Sequence, residues 1–550
     1  MTAASVPRIR ARRPKVRSGC ATCKSRRIKC DEGRPICTRC QKSRLPCKYD
    51  VPESKYSQNR TQDGFVLASG ANGASTQATS AMRLHDFEGY EIFYFDLFRN
   101  VVVCNLSQNG YKNFWTRTIL RESFRDECVR DCVLGTGALC RAMMDQIHRL
   151  KQPGTKSHWM TPTDSLNPIN TRYHRDALLF YTKAISKFRS RIINEGSSIK
   201  PRTILIVSIL FIIFEAMQGN TETIDRLMHS ATSALESAVS SMTFGARMPP
   251  TLDDEGIREA DYFFARLSGF SSLLSPFYPT ILQNQAYQRT WLCNDAIPGN
   301  NEDIRQIEQG FERYTTYMLF WCFRTIQTKM LKNTMDYVKF EQEQRLAQSQ
   351  SKIWCEFLTG KIDQEKDMVQ CQAWKVMLVE AKMFSIFAKY KHDKEECEAM
   401  WDAQLPTCRE VVALAESVLQ EGSPLAGPLP PLFEDKLQPM MRSMTCKCRN
   451  YEVRSRALAL CQKLSGPWFE NKAMIVGMRI LVELEEHQRD ASGHIPYSAR
   501  LKWSVSSWNE DRSELRMVLM KILTNHRIEL TIRKDEDIDS MIENISKLSI

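Results

Sequence analysis

The chain has 550 residues, with 76 Lys+Arg against 64 Asp+Glu, and carries a formal net charge of +12. It begins with basic residues and has no apolar signal segment, which argues against a secreted protein. Its most apolar run, residues 204–214, is shorter than the about 20 residues that a membrane-spanning helix needs. Secreted and membrane classes are therefore not expected.

The excess positive charge is concentrated at the N-terminus. Residues 1–48 hold 15 Lys+Arg and two Asp+Glu, which gives +13 and leaves −1 (61 against 62) for the other 502 residues. A basic segment joined to a nearly neutral body is typical of proteins that bind polyanions. Residues 1–17 are compatible with a nuclear localisation signal and with an arm that binds phosphate.

Six cysteines lie in a 28-residue window with the spacing C-x2-C-x6-C-x6-C-x2-C-x6-C, so the second half repeats the first. They are Cys20, Cys23, Cys30, Cys37, Cys40 and Cys47. A structural zinc site takes four ligands, usually thiolate or imidazole, and no histidine precedes His85. Two such sites need eight ligand positions, so two of the six sulfurs must bridge both metals. The spacing predicts a compact cluster with two zinc ions per chain.

A disulfide framework is the alternative interpretation of this window. Such frameworks belong mainly to secreted chains. Thirteen further cysteines (19 minus 6) would also be a mispairing hazard in an oxidising compartment. We therefore expect reduced thiolates that bind zinc.

The residues between these cysteines resemble the fungal Zn2Cys6 binuclear cluster DNA-binding domain. The matching residues are Cys20-Ala21-Thr22-Cys23-Lys24-Ser25-Arg26-Arg27-Ile28-Lys29-Cys30-Asp31 and Arg34-Pro35-Ile36-Cys37-Thr38-Arg39-Cys40. The resemblance implies that Cys20 and Cys37 are the bridging ligands and that Pro35 lies in a tight loop between the two halves. We expect this domain to span residues 18–50.

Basic residues between the ligands predict contacts with double-stranded DNA. A short helix starting near Cys20 would carry Arg26, Arg27 and Lys29 towards its end, and an Arg fork can pair with O6 and N7 of guanine. The resemblance to the family implies that Arg26 and Arg27 reach the base edges of a CGG-type triplet. The remaining predicted DNA contacts, mainly to phosphate, are Lys24, Lys29, Arg39, Lys42 and Arg44.

Residues 51–82 are predicted to form a flexible linker, because the segment after Leu67 is small, polar and contains glycine. No apolar heptad pattern is sustained there, so the linker is not expected to form a dimerising coiled coil. The sequence leaves the oligomeric state open.

Residues 83–530 are predicted to form a large, predominantly α-helical domain, with room for two subdomains. Glycine is scarce, strand signals are sparse, and apolar residues recur at helical spacing. Residues 204–214 are expected to form a buried core helix. One helical stripe consists of Ala177, Tyr181, Ala184, Ile185, Phe188 and Ile192. The succession of helices from His174 to Ala238 resembles the helical regulatory domain that accompanies many fungal zinc clusters.

Catalytic motifs are not found in the large domain, so an enzyme is not expected. The sequence contains no H-E-x-x-H, no G-x-S-x-G and no Walker-type motif. Gly135-Thr136-Gly137 lacks the third glycine of a dinucleotide fingerprint. Residues 531–550 mix acidic and apolar residues, which suits either a short activation segment or a terminal helix packed on the body.

The sequence therefore predicts a nuclear, sequence-specific DNA-binding regulator of RNA polymerase II transcription. The large domain is expected to regulate the DNA-binding domain by binding transcriptional coregulators or a small apolar effector. A dimer surface or a rigid platform is the alternative interpretation of that domain. The alternative function is a corepressor or scaffold that carries a zinc cluster but acts mainly through protein partners.

Overall fold

A computed structural model describes much of the chain in separate ranges. The described residues are 20, 22–23, 26, 28–31, 37–43, 47, 89–150 except 109–111, 171–243, 259–260, 263–264, 267, 299, 303–331, 337–420 except 392, 436–464, 469–509, 513–533 and 543. The chain divides into two units, Met1–Ala78 and Thr79–Ile550. The predicted N-terminal arm and the linker at 51–82 lie outside the described residues.

The first unit contains one described helix, α1 (Thr38–Lys42), and its described core consists of cysteines. The second unit begins with α2 (Gly89–Leu97), α3 (Val103–Gln108), α4 (Leu120–Arg125), α5 (Glu127–Leu150), α6 (Arg172–Glu195), α7 (Pro201–Gln218) and α8 (Thr221–Thr243). Two π-helical segments, Phe98–Val102 and Phe114–Ile119, lead into α3 and α4. These elements share one hydrophobic cluster.

Helix α7 is the predicted core helix, and its boundaries follow from its sequence. Pro201 lies in the first turn, where its missing N–H costs nothing, and Gly219 ends the helix with a left-handed φ of 73°. Every residue from Leu205 to Phe214 is buried. By length and composition α7 could also cross a membrane, but 61% of it is buried within the protein, which supports the core assignment.

A close backbone contact explains one of the glycines of the Gly135-Thr136-Gly137 sequence. A Cβ atom on Gly137 of α5 would lie 2.1 Å from the carbonyl oxygen of Tyr94 on α2. Only glycine permits this approach of the two helices without displacement of the backbone. Gly137 therefore serves helix packing, a role not predicted from the sequence.

The rest of the unit forms a second helical cluster. Its helices are α9 (Ile304–Leu331), α10 (Tyr337–Gln364), α11 (Met368–Phe387), α12 (Lys394–Ala403), α13 (Leu405–Gln420), α14 (Leu437–Lys447), α15 (Tyr451–Leu464) and α16 (Phe469–Glu486). Large aromatic side chains fill this core, including Trp354, which stacks on Tyr314 with ring centroids 5.8 Å apart. The described residues confirm a predominantly α-helical protein with a small cysteine-rich N-terminal unit.

The structure differs from the expected all-helical body at residues 501–533. Strands β1 (Leu501–Trp508), β2 (Glu514–Lys521) and β3 (Arg527–Arg533) form an antiparallel sheet in the order β1-β2-β3. In β3, buried Ile528, Leu530 and Ile532 alternate with exposed residues, a period of two that is typical of strands. This strand runs across the predicted domain boundary at residue 530.

The buried face of the sheet packs on α16. The sheet and α16 share a third hydrophobic cluster, to which α16 contributes Ala473, Val476, Ile480 and Leu481. Helix α16 comes close to β1 at Gly477, where an added Cβ atom would lie 2.1 Å from the ring of Trp503. The sheet thus depends on a helix to cover its apolar face, since a small exposed sheet has little stability alone.

A buried network of ion pairs joins this sheet to the helices. The Arg449 guanidinium lies 3.3 Å from Glu398 of α12 and 3.0 Å from Glu485 of α16. Glu485 also pairs with Arg454 of α15 and accepts a hydrogen bond of 2.6 Å from the backbone N–H of Leu501. Burial opposes ionisation of Glu485, but the two arginines outweigh it and hold the pKa of its carboxyl below its ordinary value.

We predict that Glu485→Ala destabilises the second unit by about 3–5 kcal/mol, because it leaves two buried arginines without their shared carboxylate. The matched control is Glu529→Ala, which removes an exposed pair with Arg516 and should cost at most about 1 kcal/mol. The measurement is urea unfolding followed by helical circular dichroism. Equal shifts of the two unfolding midpoints would contradict the buried-network assignment.

The same carboxyl gives a pH dependence. The pKa of Glu485 is lowered on folding, so ionised Glu485 adds to the free energy of unfolding. This stabilisation is fully present above the ordinary glutamate pKa and is lost as pH falls through the lower pKa of the folded state. Glu485→Gln should therefore flatten this part of the acid-unfolding profile.

Candidate metal centre and nucleic-acid interface

The six cysteines predicted as zinc ligands lie together in the first unit. Five of them are buried and Cys47 is half-buried. The Sγ of Cys20 lies 3.8 Å from that of Cys37 and 3.7 Å from that of Cys40. The Sγ of Cys23 lies 3.6 Å from that of Cys37 and 3.9 Å from that of Cys40.

These sulfurs fit two tetrahedral zinc sites. One group of four consists of Cys20, Cys23, Cys30 and Cys37, and the other of Cys20, Cys37, Cys40 and Cys47. Within each group all sulfurs lie within 4.8 Å of one another. A regular tetrahedron with Zn–S bonds of about 2.3 Å has sulfur–sulfur edges of about 3.8 Å. Cys20 and Cys37 belong to both groups, so six sulfurs supply the eight ligand positions.

The two halves of the cluster repeat each other in structure as well as in sequence. The backbone N–H of Cys23 donates to the Sγ of Cys20 over 3.3 Å, and that of Cys40 donates to the Sγ of Cys37 over 3.4 Å. The N–H of Cys20 donates to the Sγ of Cys30 over 3.5 Å, and that of Cys37 to the Sγ of Cys47 over 3.3 Å. The two bonds of the first half thus recur 17 residues later in the second half.

These bonds affect the thiol pKa values. For Cys20 and Cys37, burial raises the pKa, but hydrogen bonds from backbone N–H groups and from neighbouring thiols together lower it by more. The net pKa of both thiols is therefore below the ordinary value. Burial and the neighbouring thiols raise the pKa of Cys23 to about 12 and raise that of Cys40 as well. Zinc binds the thiolate form. The pKa is thus lowered at the two sulfurs that belong to both groups and raised at Cys23 and Cys40.

Four of the predicted DNA-contacting residues lie within the described part of the cluster. Arg26, Lys29, Arg39 and Lys42 are all exposed. Arg26 lies in a turn whose N–H bonds to the carbonyl of Thr22 over 3.2 Å, whereas Lys29 follows in an irregular segment rather than on a helix. Arg39 and Lys42 belong to α1. The predicted contacts Lys24, Arg27 and Arg44 lie outside the described residues, as does Pro35.

The described part of the cluster is strongly positive. Its only acidic residue is Asp31, and the carboxylate of Asp31 accepts hydrogen bonds from Thr38. None of the four described cations forms an ion pair with another described residue. Exposed guanidinium and ammonium groups that pair with no described carboxylate can bind phosphate and base edges.

We predict two zinc ions per full-length chain, and we expect Cys37→Ser to lose both because Cys37 lies in both groups of ligands. Cys47→Ser should retain more zinc, since Cys47 lies in one group only. Elemental analysis of the purified full-length proteins measures the stoichiometry. Cys104→Ser, an exposed cysteine of the second unit, is the control and should leave two zinc ions bound. Equal zinc loss from Cys37→Ser and Cys47→Ser would contradict the shared-ligand geometry.

Comparison with known proteins agrees with this geometry. Residues 18–56 match the fungal Zn(2)-Cys(6) binuclear cluster domain. The chain is 29% identical over 135 residues to "Zn(2)-C6 fungal-type transcription factor afumD" of Aspergillus fumigatus, covering 24% of this chain and 34% of that protein. It is 60% identical over 35 residues to "Sterol uptake control protein 2" of Candida albicans, covering 6% of this chain and 5% of that protein.

A third relative is "Transcriptional regulatory protein pro1" of Neurospora crassa, 56% identical over 36 residues, which cover 6% of this chain and 5% of that protein. The chain thus spans about a third of the length of the first relative and a much smaller part of the other two. No solved structure matches the chain. The domain matched at residues 18–56 is one that binds two zinc ions through six cysteines, and parts of the chain are similar to proteins named as fungal transcription factors and regulators.

Proposed function

We propose that the protein is a nuclear DNA-binding regulator of RNA polymerase II transcription, in which the zinc cluster contacts double-stranded DNA. The observation that carries this proposal is the set of four exposed cations, free of ion pairs with described residues, around a core of six cysteines. The matched cluster domain and the relatives named as transcription factors and regulators support it. Both relatives are named as regulators, and the chain is proposed to have no enzymatic activity.

The ligands proposed for the two zinc ions are the six cysteines of the cluster, with Cys20 and Cys37 bridging. Zinc in such a site has no open coordination position, so it stabilises the fold and does not take part in a reaction. Ligation would fix the turn that carries Arg26 and the helix that carries Arg39 and Lys42, because Cys23 and Cys40 lie in these elements.

Two roles are proposed for the basic residues. Arg26, together with Arg27, reads the base edges of a CGG-type triplet, because a guanidinium can donate two hydrogen bonds to guanine O6 and N7. The contacts proposed for phosphate are Lys24, Lys29, Arg39, Lys42 and Arg44, which would set affinity and register without reading sequence. The short fixed turn at Arg26 supports its assignment to base reading, because bidentate pairing needs a defined approach.

We predict that Arg26→Ala costs about 1–3 kcal/mol on a duplex with a CGG-type triplet and reduces discrimination against a scrambled duplex. Lys42→Ala, the matched control, should weaken binding to both duplexes alike. It should also reduce the slope of the logarithm of the binding constant against the logarithm of salt concentration by about one. Fluorescence anisotropy with the full-length protein over a range of salt concentrations measures both effects. If both variants lose specific and nonspecific affinity in the same proportion, the assignment of Arg26 to base edges is wrong.

The large helical unit is proposed to regulate the cluster through transcriptional coregulators or an effector. Its described residues form two helical clusters and a sheet, far more than a basic module needs for its own folding. One open cleft of about 560 Å³ has both polar and apolar side chains in its lining, among them Gln344, Lys389, Glu396 and Met400. The partner proposed for this unit is a protein coregulator or a small apolar effector.

Chromatin occupancy separates direct DNA binding from recruitment by partners. We predict that Cys23→Ala abolishes occupancy, because it removes a cluster ligand without touching the second unit. Deletion of residues 83–533, which removes β3 whole, should retain occupancy but make transcription insensitive to growth conditions. Occupancy that persists in Cys23→Ala would instead support the alternative function, a scaffold or corepressor held by protein partners.

A further inference from the structure

The carboxylate of Asp31 links the two halves of the zinc cluster. Asp31 directly follows Cys30, the last cysteine of the first half, and Thr38 directly follows Cys37, the first cysteine of the second half. One oxygen of Asp31, Oδ2, accepts a hydrogen bond of 3.1 Å from the backbone N–H of Thr38 and a second one from the Thr38 hydroxyl. The end of one half is thereby held to the beginning of the other.

This carboxylate adds an oxygen cap to α1, whose N-cap residue, Cys37, offers only a sulfur. The first N–H groups of a helix have no partner within it, and an oxygen of Ser, Thr, Asp or Asn at the N-cap usually accepts from them. The N-cap of α1 is Cys37, whose sulfur accepts from the N–H of Cys40 and also lies in both zinc-binding groups. The N–H of Thr38 bonds instead to Asp31, so the oxygen cap of α1 comes from the first half.

The sequence repeat does not duplicate this link. Moving back 17 residues from Thr38 leads to Ala21, and moving forward 17 residues from Asp31 leads to Lys48. Alanine has no side-chain donor and lysine no side-chain acceptor, so the same pair of bonds cannot form with the halves exchanged. The second half therefore depends on the first half for its cap, whereas the sequence offers no equal support in the other direction.

We propose that Asp31 is a positioning residue that couples the two zinc-binding halves and holds α1, with Arg39 and Lys42, in register with the first half. The part of this inference that concerns DNA binding rests on the proposed function. Loss of the cap frees the second half, which holds the two sulfurs found only in the second ligand group, those of Cys40 and Cys47. Arg26 belongs to the first half and keeps its own turn, so base discrimination is retained.

The test uses the full-length protein and four variants. Asp31→Ala removes the cap, and Asp31→Asn keeps an acceptor oxygen. Thr38→Ala removes only the hydroxyl donor. Glu32→Ala is the matched control, because it removes the same charge one residue further along the chain. Zinc release to a chromogenic chelator and binding to matched and scrambled duplexes are measured for each.

We expect Asp31→Ala to release zinc in two phases, the first about tenfold faster than in the wild type, on the scale of a lost charge-assisted hydrogen bond. Asp31→Asn should restore most of the slow release, and Thr38→Ala should show a smaller change in the same direction. Asp31→Ala should also weaken binding to both duplexes about equally and lower the salt dependence of binding. The ratio of the two affinities should stay that of the wild type.

The sign of the DNA effect distinguishes positioning from simple charge. Removing a negative charge beside basic residues should tighten DNA binding if charge alone mattered, which is the result expected for Glu32→Ala. Tighter binding by Asp31→Ala, or zinc release in one phase at the wild-type rate, would overturn the proposal. If the wild type fails to distinguish the two duplexes, the proposed function fails, and the zinc-release phases still decide the role of Asp31.

Discussion

Tetrahedral coordination of zinc by thiolates is the constraint on which the N-terminal unit depends. Its described core contains only cysteines, so there is little apolar area whose burial could stabilise it. Metal ligation replaces that missing core and is coupled to folding. Cys20 and Cys37 belong to both groups of four sulfurs, so the proposed ligation also joins the two halves that carry the basic residues. The positions of Arg26, Arg39 and Lys42 follow from the metals rather than from hydrophobic packing.

The second unit is stabilised by different physics. Three hydrophobic clusters lie within it, and α7 is buried along almost its whole length. Where the sheet meets the helices, Glu398, Arg449, Arg454 and Glu485 form paired buried charges rather than an apolar contact. Such pairs contribute little net stability over apolar contacts but are costly to break, so they favour one arrangement of sheet and helices. Residues 49–550 are nearly neutral, so the excess positive charge of the chain lies in residues 1–48.

Much of the candidate site could be predicted from sequence, because its chemistry is local. The cysteine spacing indicated the metal, the number of ions and the need for shared ligands, and the charges between the cysteines indicated a polyanion partner. The run at residues 204–214 predicted the buried helix for the same reason, because its 11 residues are fewer than the about 20 of a membrane span and favour burial in a protein core. In the stripe on α6, Ala177 and Tyr181 are buried as expected, but Ile185 and Ile192 are 41% and 49% exposed, because neighbouring helices cover only one side of α6.

The sequence by itself determined the zinc cluster, its charge and the helical class of the body, because each follows from residues close together in the chain. The tertiary structure alone decided the contacts between distant residues. The alternation in β3 is a strand signal, but the sheet depends on cover from α16, some 50 residues earlier, and on the Leu501 N–H bond to Glu485. Likewise, no local pattern marks Asp31 as the cap of α1 or Gly137 as the contact with Tyr94, because both roles exist only once the chain has folded back on itself.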